Sequence, residues 1–121
     1  MTFSHKKLVS IIIPVYNEEE NIEICYEKLS IFLETIVEYK FEFLFTDNHS
    51  DDETFQILRK LAAKDNRVRG FRFAKNVGYQ RSILMGYLKS RGDAVIQLDV
   101  DLQDPIELIP EFLHKWNNGF A

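Results

Sequence analysis

The sequence feature that most limits the possible folds is a nearly continuous apolar run at residues 8–15, rich in β-branched side chains. A strand with one face in solvent alternates apolar and polar residues, and this run does not. Its pattern is typical of a strand buried on both faces, as in a parallel sheet. Apolar residues at three- and four-residue steps follow between Ile22 and Val37, and they indicate an amphipathic helix.

The alternation of strand and helix continues along the chain. The predicted strands are residues 8–15, 41–46, 68–73 and 94–98. The predicted helices follow Asn21, surround residues 55–62, span residues 79–90 and run from Pro105 to about residue 117. We expect Asn17 to cap the first helix, and Ser50 or Asp51 to cap the second. Repeated alternation of this kind predicts an α/β fold with a mostly parallel sheet and right-handed crossovers.

Three polar segments fall at the ends of predicted strands. They are residues 14–18, 47–52 and 99–104. Because ligands of open α/β sheets bind beyond the carboxyl ends of the strands, this topology places all three segments on one edge. The sequence therefore predicts a binding site there.

Asp99 and Asp101 are the strongest candidates for chemistry in these segments. Side chains alternate along an extended chain, so both carboxylates can point the same way while Val100 points into the protein. Paired carboxylates suit Mg²⁺ or Mn²⁺, especially an ion that also holds a diphosphate. The alternative is a strand that simply leaves the core into a polar loop.

Several other classes of function lack their sequence signals. Neither Gly-x-x-x-x-Gly-Lys-Ser/Thr nor Gly-x-Gly-x-x-Gly occurs, and the histidines show no zinc-ligand spacing. The net charge is −4, and no basic patch with interleaved aromatic residues predicts a nucleic-acid partner. No apolar stretch reaches the ~18 residues of a membrane span. Cys25 is interpreted as a core helix residue, and 45% hydrophobic residues in a chain of 121 suit one domain.

At this point the motifs resemble the family 2 glycosyltransferases of the GT-A type, which use nucleotide sugars. The resemblance is carried by the run from Val9 to Glu18, the segment from Asp47 to Asp52, Asn76-x-Gly78 with Gly86, Gly92-Asp93 and Asp99-x-Asp101. It implies a Rossmann-like nucleotide-sugar-binding half with helices on both faces of the sheet. The extension from Asp99 to Pro105 is most similar to the polyprenyl-phosphate hexosyltransferase branch, which includes dolichol-phosphate mannose synthases and undecaprenyl-phosphate sugar transferases.

The resemblance also implies a role for individual residues. Asp99 and Asp101 would be catalytic, and with Gln103 they would hold the metal. The nucleotide-sugar-binding residues that it implies are Pro14, Tyr16, Glu18, Asp47, Asn48, Gln80, Arg81 and Asp99. Among these, Asp47 would bind the base and Arg81 would approach the phosphates. An exposed helical position for Arg81 is an equal alternative.

One departure from the family pattern concerns the exit of the second strand. The family often has Asp-Asp-Gly-Ser there, and this chain has Asp47-Asn48-His49-Ser50. Asn48 keeps a hydrogen-bonding group but loses the charge, and His49 replaces a permissive glycine. The departure bears on which nucleotide is preferred.

The expected reaction is transfer of a hexose from UDP- or GDP-hexose to a polyprenyl phosphate or a glycan. A divalent cation would stabilise the leaving diphosphate in an inverting displacement. Two alternatives use the same carboxylates: a nucleotide-binding module without catalysis, and a Mg²⁺-dependent nucleotidyl- or phosphotransferase.

The family continues into further strands, an acceptor region and often membrane helices. We therefore expect residues 1–121 to be one nucleotide-sugar-binding domain, truncated before the acceptor region and inactive or nearly so alone. The parent would lie at the cytoplasmic face of a membrane and touch it through parts absent from this chain. Exposed apolar surface would favour a homo-oligomer.

Overall fold

Four parallel strands form the sheet of this protein, in a computed structural model that describes residues 6–119. The strands are β1 (Lys7–Val15), β2 (Tyr39–Asp47), β3 (Val68–Arg72) and β4 (Ala94–Gln97). Their order is β3-β2-β1-β4, and each of the three neighbouring pairs is parallel. The predicted α/β fold with a mostly parallel sheet is confirmed.

The helices fall where the sequence periodicity predicts them. They are α1 (Ile22–Glu34), α2 (Thr54–Lys64), α3 (Tyr79–Lys89) and α4 (Ile109–Asn117). A single 3-10 turn at Ile106–Leu108 precedes α4, whose first turn contains Pro110. The last helix therefore starts later than Pro105, because proline is tolerated in the first turn but not in the interior of a helix.

The two faces of the sheet carry different helices. The odd-numbered residues of β1 from Val9 to Val15 and of β2 from Phe41 to Phe45 are buried in one cluster with apolar residues of α1, α2 and α4. The even-numbered residues face α3, and the Thr46 and Ser82 hydroxyls are 2.9 Å apart there. Helices thus cover both faces, as expected for this class of sheet.

Helix α3 lies very close to the centre of the sheet. A Cβ atom added at Gly86 would come within 2.5 Å of the Ile12 side chain, closer than atoms can pack. Gly86 therefore allows the backbone of α3 to approach β1. This close approach sets the height of the first turn of α3 above the carboxyl ends of the strands.

The predicted helix caps are wrong, and the hydrogen bonds show why. The N-cap of α1 is Asn21, and that of α2 is Glu53. Asn17 instead has a φ of 51° and joins two loops, since its N–H donates to Ser50 Oγ and its Oδ1 accepts from the Asp51 N–H. These side chains tie the loop after β1 to the loop after β2.

Among residues 6–119, no helix is both long enough and apolar enough to pass through a lipid bilayer.

Candidate functional site

The carboxyl ends of β1, β2 and β4 open onto a cleft of about 460 Å³. Val15 and Asp47 are register partners, so β1 and β2 end at the same level. Six residues predicted for the nucleotide and the metal line the cleft: Pro14, Tyr16, Glu18, Asn48, Asp99 and Asp101. The structure therefore brings residues from all three predicted polar segments to one edge of the sheet.

Asp99 follows the end of β4 and is held by two donors on the same oxygen. The Tyr79 hydroxyl donates to Asp99 Oδ1 at 2.5 Å, and Gln97 Nε2 donates to it at 3.0 Å. The bond to the Asp99 carboxylate raises the pKa of the Tyr79 hydroxyl above its ordinary value. Within the described residues, Asp99 Oδ2 makes no hydrogen bond and is available to a ligand in the cleft.

Asp101 is more loosely held than Asp99. Its side chain is exposed, and its Oδ1 accepts the Gln103 N–H at 3.3 Å. Val100, between the two carboxylates, is only 8% exposed and belongs to the core cluster. Val100 is therefore turned inwards between the two aspartates as predicted, but through a turn rather than an extended chain, since the Leu102 N–H donates to the Asp99 carbonyl at 3.0 Å.

Asp47 lies beneath the cleft and does not line it. Its side chain is fully buried, and Oδ1 accepts from the backbone N–H and the hydroxyl of Ser50. Its Oδ2 is buried without a hydrogen-bond partner among the described residues. An unpaired buried carboxylate oxygen is costly, so Oδ2 is a candidate acceptor for a ligand donor.

Asn48 connects the cleft to the loop before α3. Its Oδ1 accepts the Val77 N–H at 2.7 Å, which leaves the amide NH₂ as its donor group. His49 has a φ of 66°, the region that glycine favours, and its Nδ1 lies 3.0 Å from the Phe73 carbonyl. This contact accounts for how a histidine is held where the family pattern has glycine.

Besides Asp47, three predicted site residues do not line the cleft. Gln80 and Arg81 are exposed on α3, and Gln103 is exposed in the loop after β4. Arg81 instead borders a separate apolar groove with Phe73 and Leu84. Helix α3 turns Gln80 and Arg81 outwards because its buried positions are Ser82 and Gly86.

The residues of the cleft fit a divalent cation that is shared with a ligand. Asp99 and Asp101 both line it, and within the described part of the chain no three His, Cys, Asp or Glu side chains cluster as a metal site. Mg²⁺ commonly binds through one or two carboxylates, with substrate phosphates and water as further ligands. The two aspartates match that ligand set.

Comparison with known proteins identifies the family. The sequence model described as "Glycosyl transferase family 2" matches residues 10–121. The chain belongs to this glycosyltransferase family. The resemblance on which the motifs were interpreted is therefore confirmed.

Relatives of this family 2 glycosyltransferase chain include phage and bacterial proteins. The bactoprenol glucosyl transferase of Shigella phage SfX is 41% identical over 111 residues, which are 92% of this chain and 36% of that protein. The prophage bactoprenol glucosyl transferase homolog of Escherichia coli K12 is 40% identical over the same shares of the two chains. The chain thus spans about a third of the length of these relatives.

A solved structure shares the fold of this family 2 chain. The mannosyltransferase PcManGT from Pyrobaculum calidifontis, solved in complex with GDP-Man and Mn²⁺, superposes with a TM-score of 0.70. It is 24% identical, and the match covers 93% of this chain and 33% of that one. This likeness confirms the predicted Rossmann-like GT-A architecture.

Tyr79 and Ser82 line this cleft, but the sequence did not predict them as site residues. Asn76 and Gly78 of the recognised Asn76-x-Gly78 motif line it as well. The signal that could have found Tyr79 is its position directly after that motif, at the first turn of a helix over the strand ends. Its contact with Asp99 depends on how α3 is placed over β4, which no local pattern shows.

Proposed function

We propose that this chain is the donor-binding part of an inverting glycosyltransferase that moves a hexose from UDP- or GDP-hexose to a polyprenyl phosphate. The observation that carries the proposal is the cleft itself, because Asn48, Asp99 and Asp101 meet there with the end of β1. Its volume of about 460 Å³ suits a small-molecule ligand such as a nucleotide sugar.

The proposed roles follow from what each side chain can offer. Pro14 at the end of β1 and Tyr16 just after it form one wall, and Tyr16 is 44% exposed and so available for contact with a base or a sugar. The Asn48 amide donates to the nucleotide, and Asp47 Oδ2 beneath it accepts a base N–H when ligand binding uncovers it. Asp99 and Asp101 hold the cation at the diphosphate.

The charges of the reaction explain why two carboxylates are needed at this point. Cleavage of the bond between the sugar and the diphosphate leaves negative charge on the departing diphosphate. A bound Mg²⁺ or Mn²⁺ supplies the compensating positive charge there. Asp99 and Asp101 bind the ion and orient the donor, so that the acceptor can attack the sugar carbon from the opposite side. A phosphate acceptor is already anionic at neutral pH and needs no general base.

The acceptor is proposed from the relatives. Two proteins about 40% identical to this chain carry the name bactoprenol glucosyl transferase or its homolog, and bactoprenol is a polyprenyl alcohol. Polyprenyl phosphate resides in a membrane, and nucleotide sugars are made in the cytoplasm. The parent protein would therefore act at the cytoplasmic face of a membrane.

Calorimetric titration of UDP, and separately of GDP, tests the donor site of the chain. We expect one nucleotide to bind in Mn²⁺ at least tenfold more tightly than in EDTA, because the cation joins the diphosphate to both aspartates. Equal affinity in Mn²⁺ and EDTA would contradict the proposed metal site. Absence of binding by both nucleotides would contradict the donor site.

A transfer assay with the parent protein tests the reaction. Donor labelled in the sugar is mixed with polyprenyl phosphate in detergent, and we expect the label in the lipid extract and a nucleoside diphosphate as the second product. Release of a nucleoside monophosphate would mean that the bond at phosphorus is broken, and the glycosyltransferase proposal would be wrong.

A further inference from the structure

The Tyr79 side chain reaches from α3 to Asp99, which follows the end of β4. Tyr79 is the first residue of α3, and it follows Gly78, whose φ of 90° is a conformation that side chains rarely adopt. The Gly78 carbonyl accepts the Ser82 N–H at 3.0 Å, so the glycine both turns the chain and starts the helix. The turn brings the Tyr79 hydroxyl to Asp99, while the side chain as a whole stays 54% exposed.

Gln97 adds a second donor from below. Its Nε2 donates to Asp99 Oδ1 at 3.0 Å and to the Tyr79 hydroxyl oxygen at 3.2 Å. Gln97 is the register partner of Ile12, so it lies on the face of the sheet that α3 covers. The three side chains form a triangle of three hydrogen bonds. Two of these bonds end on Asp99 Oδ1, and the third joins Gln97 to the Tyr79 hydroxyl.

From this triangle we infer that Tyr79 is a positioning residue for the Asp99 carboxylate. By holding Oδ1, Tyr79 and Gln97 stop the carboxylate from rotating and leave Oδ2 directed to the ligand in the cleft. The inference rests on the proposed function, since the ligand of Oδ2 is the cation shared with the donor diphosphate.

The contrast with Asp101 supports this assignment. Asp101 accepts one backbone N–H at 3.3 Å, and no side chain of the described residues donates to it. A carboxylate held by outer partners binds a metal without first losing rotational freedom, and such partners commonly change metal affinity by about 10- to 100-fold. Asp99 would therefore be the preset ligand of the ion, and Asp101 the less restrained one.

Tyr79→Phe tests the inference, because it removes the hydroxyl and keeps the ring. Tyr87→Phe is the matched control, since Tyr87 is an exposed tyrosine on the same helix and is not in the cleft lining. Mn²⁺ binding is measured by electron paramagnetic resonance with UDP or GDP present, and nucleotide binding in EDTA by calorimetry. We expect Tyr79→Phe to weaken Mn²⁺ binding about tenfold. This is the lower end of the 10- to 100-fold range, because the hydrogen bond between Tyr79 and Asp99 is exposed to solvent. Nucleotide affinity in EDTA and the melting temperature stay as in the unmodified chain, and Tyr87→Phe changes nothing.

Gln97→Met removes the second donor at similar side-chain length, and we expect it to weaken Mn²⁺ binding in the same direction. Wild-type Mn²⁺ affinity in Tyr79→Phe overturns the inference and leaves the proposed function intact. Equal losses of Mn²⁺ binding, nucleotide binding in EDTA and melting temperature also overturn it, since they indicate a purely structural role. If the unmodified chain binds no Mn²⁺ with either nucleotide, the proposed metal site is wrong and the inference falls with it.

Discussion

Asp99 and Asp101 are two residues apart, yet the fold treats them differently. Asp99 is partly buried and hydrogen bonded by Tyr79 and Gln97, whereas Asp101 is exposed. Their common feature is that both line the cleft while Val100 anchors the loop in the core. An exposed carboxylate contributes little to packing, so the function of Asp101 can be tested without disturbing the fold.

Replacement of Asp101 by Asn should weaken metal-dependent nucleotide binding and leave stability unchanged. We expect a loss of about tenfold or more in UDP or GDP affinity in Mn²⁺, because one of the two charged ligands is removed. Affinity in EDTA should not change. Asp104→Asn is the control, since Asp104 is an exposed carboxylate in the same loop but not in the cleft lining. A melting temperature several degrees lower in Asp101→Asn would indicate a structural role instead.

Replacement of Asp47 by Asn separates the base contact from the metal contact. The amide oxygen of the introduced side chain can still accept from the Ser50 N–H and hydroxyl, but an NH₂ group takes the place of the unpaired Oδ2. We expect about a tenfold loss of nucleotide affinity, equal in Mn²⁺ and in EDTA, as for one lost hydrogen bond to a charged group. Calorimetry in both buffers checks this, and a loss confined to Mn²⁺ would argue against a base contact.

At the scale of elements, Glu42 joins three strands and a loop on the α3 face of the sheet. Its carboxylate accepts from the Ser10 hydroxyl of β1, from Arg69 of β3 at 2.9 Å and from the Arg91 N–H at 2.8 Å. Arg69 also donates to the Lys89 carbonyl at the end of α3. Glu42 itself is 7% exposed. This network lies in the first half of β2, remote from the Asp47 end of that strand, and therefore serves the fold.

Glu42→Gln should destabilise the protein by about 1–3 kcal/mol at pH 7, because charge-assisted bonds become neutral ones. Burial alone would raise the pKa of Glu42, but the bonds from Ser10, Arg91 and Arg69 lower it below the ordinary 4.5. Its stabilisation is thus complete above about pH 4.5 and is lost as the pH falls through the lower pKa of the folded state. Urea unfolding at pH 7 and pH 3 should show the difference between the two proteins shrinking in acid.

Glu38→Gln serves as the control for that experiment, since Glu38 is exposed just before β2. We expect its free energy of unfolding to stay within about 0.5 kcal/mol of the unmodified protein at both pH values. A Glu42→Gln difference that does not depend on pH would show that the carboxylate charge is unimportant.

For the whole molecule, the single cysteine provides a probe of global unfolding. Cys25 on α1 is 1% exposed, and burial raises the pKa of its thiol to about 12. The native thiol is therefore both inaccessible and uncharged at pH 8, where an unfolded thiol near pKa 9 partly ionises. We expect iodoacetamide to modify Cys25 only at urea concentrations that also abolish the helical circular dichroism. Rapid modification of the native protein would show that α1 opens independently of the sheet.

Much of the fold follows from local sequence patterns. The apolar run at residues 8–15 predicted a doubly buried strand, and β1 is buried from Val9 to Val15. The alternation of strands and helices predicted a parallel sheet, because period and length distinguish the two elements residue by residue. The helix caps were the exception. Asn17 has a residue type that suits a cap, but its partners Ser50 and Asp51 lie more than 30 residues away along the chain.

By itself, the sequence determined the α/β class, the strand ends that carry polar residues, and the Asp99–Asp101 pair with Val100 turned inwards. The class and the strand ends depend on hydrophobic period, and the inward position of Val100 on an apolar side chain between two charged ones, all of which are properties of neighbouring residues. Only the tertiary structure decided that Tyr79 reaches Asp99, that Asp47 lies beneath the cleft and that Arg81 points away from it. The reason is physical. Such contacts depend on the strand order and on the rotation and height of α3 over the sheet, and long-range packing, such as that of Gly86 on Ile12, sets these.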